Sequence, residues 1–169
     1  MSQRLILGKA DPAAYKALIA LDKYLETTRL TATHKELIKI RASQINGCAY
    51  CIDKHTKEAR AIGEAEHRIY ALNAWRDTPF FTPEERAILA LTEEVTLISN
   101  HVSDKTYNEA AALFDEQYLA QLLMAAIIIN AWTRVGIATG MQPSVRSVAA
   151  ASNDTPVIPA PASPTPSTR

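Results

Sequence analysis

No charge of either sign predominates in this chain: Lys+Arg and Asp+Glu number 18 each. That balance excludes a protein built to grip nucleic acid or an anionic membrane, because both need clustered positive charge. No long apolar stretch follows a basic start within Met1–Lys9, so no secretory signal is expected. The most apolar run, Leu122–Ile129, is too short to cross a bilayer. The expectation is a cytoplasmic protein in a reducing compartment. Cysteine is nearly absent, with two in 169 residues. A chain of this length buries a core without disulfide support. Two cysteines three positions apart in such a compartment point to redox chemistry or metal binding, not to a structural staple.

Strand signals and internal repeats are also missing. What is present is helix: segments rich in Ala, Leu, Glu, Lys and Arg, separated by cap-like breaks. Asp11-Pro12 reads as an N-cap with proline in the first turn, opening a helix to about Thr27. Thr33-His34-Lys35-Glu36 has the form of a capping box and predicts a second helix carrying Leu37, Ile38, Arg41 and Ile45. Asn46-Gly47 breaks the pattern, since both residues tolerate left-handed backbone angles. A third helix is expected from Cys48 to Gly63 and a fourth from Glu64 to Trp75, followed by a loop over Arg76–Phe81. Thr82-Pro83-Glu84-Glu85, another capping box, starts a helix to about Ser99. Ser103 caps a sixth helix to Phe114. The seventh, Glu116–Thr139, is apolar almost all round and therefore belongs in the core or in a subunit interface. Fold class is all-α, six to seven helices without a sheet, over a domain spanning residues 1–145. The segment 146–169 is expected to be a disordered tail, because five of the nine prolines fall after Ser152 among Ala, Ser and Thr.

Chemistry concentrates in one short stretch. Only the thiolate of cysteine is nucleophilic. Cys48, just past the break, should sit at a helix N-terminus, where free N–H groups and the helix dipole favour negative charge. Cys51 lies one turn deeper, and His55 one turn beyond Cys51 on the same face. A histidine there can take the thiol proton. Glu36 can join them only if the chain folds back at Asn46-Gly47, since on one continuous helix it would lie about 18 Å from Cys48. Zinc fits less well, because Cys48, Cys51 and His55 alone are clustered and no second CxxC exists. The plainer readings make Glu36 a capping residue, Arg41 its ion-pair partner, and His34, His67 and His101 surface or capping groups. Tyr50, Trp75 and Trp132 read as packing residues.

The run Glu36-Leu-Ile-Lys-Ile-Arg-Ala-Ser-Gln-Ile-Asn-Gly-Cys-Ala-Tyr-Cys-Ile-Asp-Lys-His-Thr resembles the core motif of the alkylhydroperoxidase D-like (AhpD-like) branch of the carboxymuconolactone decarboxylase family. The match is dense over about Leu30–Gly63 and looser through Trp75–Phe80 and Glu85–Ala87. The resemblance implies an all-helical fold, with the CxxC opening a helix that packs on the helix of the glutamate. It implies a homo-oligomer, whether dimer, trimer or hexamer. It also implies a thiol-dependent peroxidase without metal or organic cofactor. On that analogy Cys51 attacks the hydroperoxide substrate, Cys48 resolves it, and Glu36 and His55 relay the proton. An external dithiol or disulfide reductase supplies electrons. Tyr50 stands where some members carry histidine. Position near the helix N-terminus would instead make Cys48 the more acidic thiol. Two other functions fit the family: a decarboxylase or lyase acting on a small lactone or acid, and a non-catalytic redox-sensing oligomeric module.

Overall fold

The computed structural model describes residues 2–143. The tail expected over 146–169 lies outside the described residues, and so does its boundary with the helical domain. Among the described residues there are eight α-helices, two 3₁₀ segments and no strand. The α-helices are α1 (Leu7–Ala10), α2 (Pro12–Glu26), α3 (Ala32–Asn46), α4 (Ala49–Ala61), α5 (Glu66–Ala71), α6 (Pro83–Thr96), α7 (Asp104–Leu113) and α8 (Glu116–Thr139). The one-turn α1 has no counterpart in the sequence expectations.

Caps set the boundaries. The Asp11 carboxylate accepts from the Ala14 amide at 3.0 Å, with Pro12 behind it. Thr82 and Glu85 close the expected capping box in both directions, at 3.2 and 2.9 Å. The box expected at Thr33 and Glu36 does not form. Thr31 caps α3 by accepting from the His34 amide at 3.0 Å, which starts the helix two residues early and places Thr33 inside its first turn. Glu36 is thereby free of capping duty. Two other expected helices are shorter: α6 stops at Thr96, and the fourth expected helix is α5 followed by a 3₁₀ stretch, Leu72–Asp77, kinked at Ala74.

Helix α3 is the axis of the bundle, packed on α4, α6 and α8. It feeds two apolar clusters from opposite faces. Ile38 and Ala42 enter the larger one, with both cysteines and the inner stripe of α8. Leu37 and Ile40 enter the smaller one, with Leu72, Trp75, Phe81 and Leu89. Being buried on both sides, α3 shows no strong apolar stripe in sequence.

Glu93 on α6 holds the second cluster's edge. It accepts from Arg41 at 2.7 Å and from the Trp75 indole at 2.8 Å, and it also pairs with Arg76. Arg41 thus pairs with Glu93 and not with Glu36, because its side chain leaves α3 on the face toward α6. His34 is not a surface group either. Its Nδ1 lies 2.7 Å from the Tyr118 hydroxyl, tying α3 to α8.

Helix α8 has the length and apolarity to cross a membrane, although its most apolar run is short, and half of its most apolar window is buried inside the bundle.

Candidate active site

The site begins at the chain reversal between α3 and α4. Gly47 ends α3 at φ +69°, a left-handed angle that glycine adopts without steric cost. The Gly47 and Cys48 amides donate to the carbonyls of Gln44 and Ser43 at 3.2 and 3.0 Å, satisfying the helix end. Asn46 fastens the turn to α8 by donating to Asn130 Oδ1 at 2.9 Å and Thr133 Oγ1 at 3.0 Å. The reversal lays α4 against α3, so residues far apart in sequence face each other.

Cys48 is the N-cap of α4, as expected from its position after the break. Its Sγ accepts from the Cys51 amide at 3.3 Å. That helix-terminal N–H favours negative charge on Cys48. The two cysteines form a disulfide, with Cα atoms 5.3 Å apart. Both are buried, at 2% and 3% exposure. Gly136 of α8 lies directly against them: a Cβ there would stand 3.2 Å from Cys48 Sγ and 3.7 Å from Cys51 Sγ.

A pocket of about 430 Å³ opens beside the disulfide. Cys51 lines it and Cys48 does not. His55, Glu36 and Glu58 stand on the same wall. His55 Nδ1 is 3.2 Å from Glu36 Oε2 and 2.9 Å from Glu58 Oε2. One ring nitrogen facing two carboxylates must carry the proton, so Nδ1–H donates and Nε2 is left as the exchanging nitrogen. Each carboxylate also meets a lysine: Lys39 donates to Glu36 at 3.0 Å, and Lys54 pairs with Glu58.

Burial alone would raise the Glu36 carboxyl, but the hydrogen bond from His55 and the Lys39 charge more than offset it and hold it below the usual range. Glu58 is lowered to about 2, chiefly by its hydrogen bond with His55 and further by Lys54. Ligand atoms of Glu36, His55 and Glu58 lie within 4.8 Å of one another, a spacing that a metal ion could use. Both carboxylates are already neutralised by lysines, however, so a cation would have to displace two ammonium groups. The arrangement suits proton transfer better.

All four residues singled out in the sequence, Glu36, Cys48, Cys51 and His55, therefore meet in one place. Glu58 was missed. It lies three residues after His55 on the same helix face, and that spacing could have found it.

Tyr50 and Trp132, expected to be packing residues, line the pocket as well. So does Asp22, from α2. Burial pushes its carboxyl above the ordinary value against the pull of Lys39, Lys54 and His55. The Trp132 indole N–H is buried beside Asp22, outside strict hydrogen-bond geometry. It is near enough to Asp22 to favour that carboxyl's ionised form.

Comparison with known proteins accords with this geometry. The profile of the carboxymuconolactone decarboxylase family matches residues 12–94. The uncharacterized protein YdfG of Bacillus subtilis is 44% identical over 83% of this chain and 96% of its own length. The uncharacterized protein YnjA of Escherichia coli is 32% identical, over 52% of this chain and 48% of its own length. A crystal structure of a protein of unknown function from Agrobacterium tumefaciens, provisionally assigned to AhpD-type antioxidant defence, superposes with a TM-score of 0.84 at 36% identity. That superposition covers 86% of this chain and all of the other.

Proposed function

Because this chain belongs to the carboxymuconolactone decarboxylase family, in its AhpD-like branch, we propose that it is a thiol-dependent peroxidase of the alkyl hydroperoxide reductase type. The observation that carries this reading is the shared wall of one pocket: Cys51 and His55 line it together, with His55 Nδ1 fixed by two carboxylates.

In the dithiol form, Glu36 and Glu58 hold the Nδ1–H of His55, and Nε2 takes the proton of Cys51. The Cys51 thiolate attacks the terminal oxygen of a hydroperoxide. The O–O bond breaks, an alcohol leaves, and Cys51 becomes a sulfenic acid. Cys48 then attacks that sulfur, expels water and forms the disulfide.

The helix N-terminus has a part in both halves of the cycle. It acidifies Cys48, which makes Cys48 the ready nucleophile for resolution and the better leaving group when the disulfide is reduced. The accessible sulfur, Cys51, accepts attack from an external dithiol or a disulfide reductase. The two expectations that conflicted in sequence thus assign different tasks: Cys51 has access and a base, and Cys48 has acidity. No organic cofactor or metal enters any step. We place the enzyme in the cytoplasm as a homo-oligomer.

The test is peroxide turnover with a dithiol donor. One equivalent of hydroperoxide added to the reduced protein should yield an intramolecular Cys48–Cys51 disulfide by mass spectrometry. Cys51→Ser should abolish turnover, whereas Cys48→Ser should trap a sulfenic acid on Cys51. Full turnover by Cys51→Ser would overturn the assignment.

A further inference from the structure

We propose that a second, apolar groove extends the pocket and takes the alkyl chain of the substrate, which makes long-chain aliphatic hydroperoxides the substrate class. This inference rests on the peroxidase reading and deepens it.

The groove lies between the N-terminal strap, residues 3–8, and the C-terminal half of α8. Its volume is about 240 Å³, against about 430 Å³ for the pocket beside Cys51. Small-molecule sites run from about 300 to 1,000 Å³. The pocket falls inside that range and the groove below it, so the groove suits an extension of the first site better than a separate ligand.

One face of α8 floors both. Ile128, Trp132, Val135 and Thr139 follow at spacings of four, three and four, which places them in a single stripe. Ile128 and Trp132 line the pocket; Trp132, Val135 and Thr139 line the groove. Tyr15, Trp132 and Met141 line both cavities, so the two meet there. Tyr15 and Trp132 brace each other edge-on, 5.9 Å between ring centroids. Met141 is the member that can yield to a passing chain, because an unbranched thioether with three rotatable bonds repacks readily.

The groove is formed in advance and is apolar. The Arg4 amide donates to the Thr139 carbonyl at 2.8 Å, which pins the strap to the end of α8. The strap crosses Gly140 so closely that a Cβ there would stand 2.9 Å from the Ser2 carbonyl oxygen. The two polar side chains of the strap and the helix are turned to backbone: Thr139 donates to the Val135 carbonyl at 2.8 Å, and Gln3 to the Leu5 carbonyl at 3.4 Å. Leu5 and Ile6, at the groove, are 45% and 43% exposed, apolar surface that a chain would take out of water. Polarity then orients the ligand. The hydroperoxide belongs beside Cys51 and His55, and the chain runs along α8 from Ile128 past Trp132 to Val135.

Chain length provides the test. Across straight-chain primary hydroperoxides from butyl to decyl, wild-type kcat/KM should rise about 3- to 4-fold for each methylene buried. Val135→Trp fills the groove, and Leu5→Glu sets a charge on its exposed rim. Each should lower kcat/KM for decyl hydroperoxide about 10-fold or more and leave butyl hydroperoxide within about 3-fold, which also shows the variant to be folded. Wild-type rates that level off between butyl and decyl would show the groove to be held by something else, such as another segment of this chain or a second copy, and would overturn the proposal. So would a loss in Leu5→Glu that is equal on both peroxides, or absent from both; the peroxidase would stand in each case. Wild type inactive on every peroxide would instead overturn the peroxidase reading. Titration calorimetry with 1-decanol and 1-butanol reads the groove without chemistry. Wild type should bind 1-decanol at least about 10-fold more tightly than 1-butanol, and Leu5→Glu should lose most of that preference. Equal affinities in wild type would overturn the groove whatever the turnover.

Discussion

At His55 a single ring N–H serves two carboxylates, and that sharing sets how the relay tolerates damage. Glu58 is the nearer partner, at 2.9 Å against 3.2 Å for Glu36. Removing either charge leaves the other to orient the imidazole and stabilise its protonated form. Glu36→Gln and Glu58→Gln should therefore each lower peroxide turnover only about 3- to 10-fold, and the double change about 100-fold or more, measured as kcat/KM.

The same pairs make stability depend on acid. Both carboxyls ionise more easily folded than unfolded, so their contribution is complete above about pH 4.5 and is lost as pH falls below it, for Glu58 toward about 2. Glu58 is held lower but is partly exposed and screened by solvent; Glu36 is buried and acts in the same direction. The melting temperature of Glu36→Gln should fall less steeply than that of wild type below about pH 4.5 in a pH-dependent thermal scan.

Most of this wall was legible in sequence, because Cys48, Cys51 and His55 obey spacings on one helix. Asp22 and Trp132 were not, since only tertiary packing brings α2 and α8 together. Glu36 was legible in identity but misjudged in its plainer reading: Thr31, not Thr33, won the cap.

Among the elements, α3 and α4 were readable from Asn46-Gly47, whose backbone preference fixes where the chain reverses. Their junction with α8 was not. Nothing local announces that Gly136 is the floor under the disulfide, since a glycine inside a helix reads first as a weak point. Alanine there would gain up to about 1 kcal/mol of helix propensity. Its Cβ would also press on Cys48 Sγ at 3.2 Å, and a sulfur bonded to Cys51 cannot turn away. Overpacking of this kind costs about 1–3 kcal/mol, so the loss outweighs the gain. Gly136→Ala should lower the melting temperature of the disulfide form. It should lower that of the dithiol form less, because a free thiol can rotate. Thermal unfolding with and without reductant reads the difference directly.

At the scale of the molecule, the apolar character of α8 divides between two faces. The inner face is committed to the bundle. Gln121 accepts from the Arg29 amide at 3.0 Å, and Asn130 and Thr133 receive Asn46. The outer stripe is different in kind. Ala120 and Ile127 are exposed, Ile127 by 50%, and Leu123, Met124 and Ala131 between and beyond them are only partly covered. A stripe of small and aliphatic residues along one helix is the surface a second copy of the same helix can bury without leaving polar groups unpaired. Light scattering after gel filtration should therefore give a mass that is a multiple of 18.5 kDa. Ile127→Glu should shift it toward the single-chain value, because a carboxylate cannot be buried unpaired at the centre of an apolar contact. Ile127 does not line the pocket, so the variant should still form the Cys48–Cys51 disulfide on addition of peroxide. A wild-type protein that runs as a single chain would show that the outer stripe tolerates water and that the site is complete within one protomer.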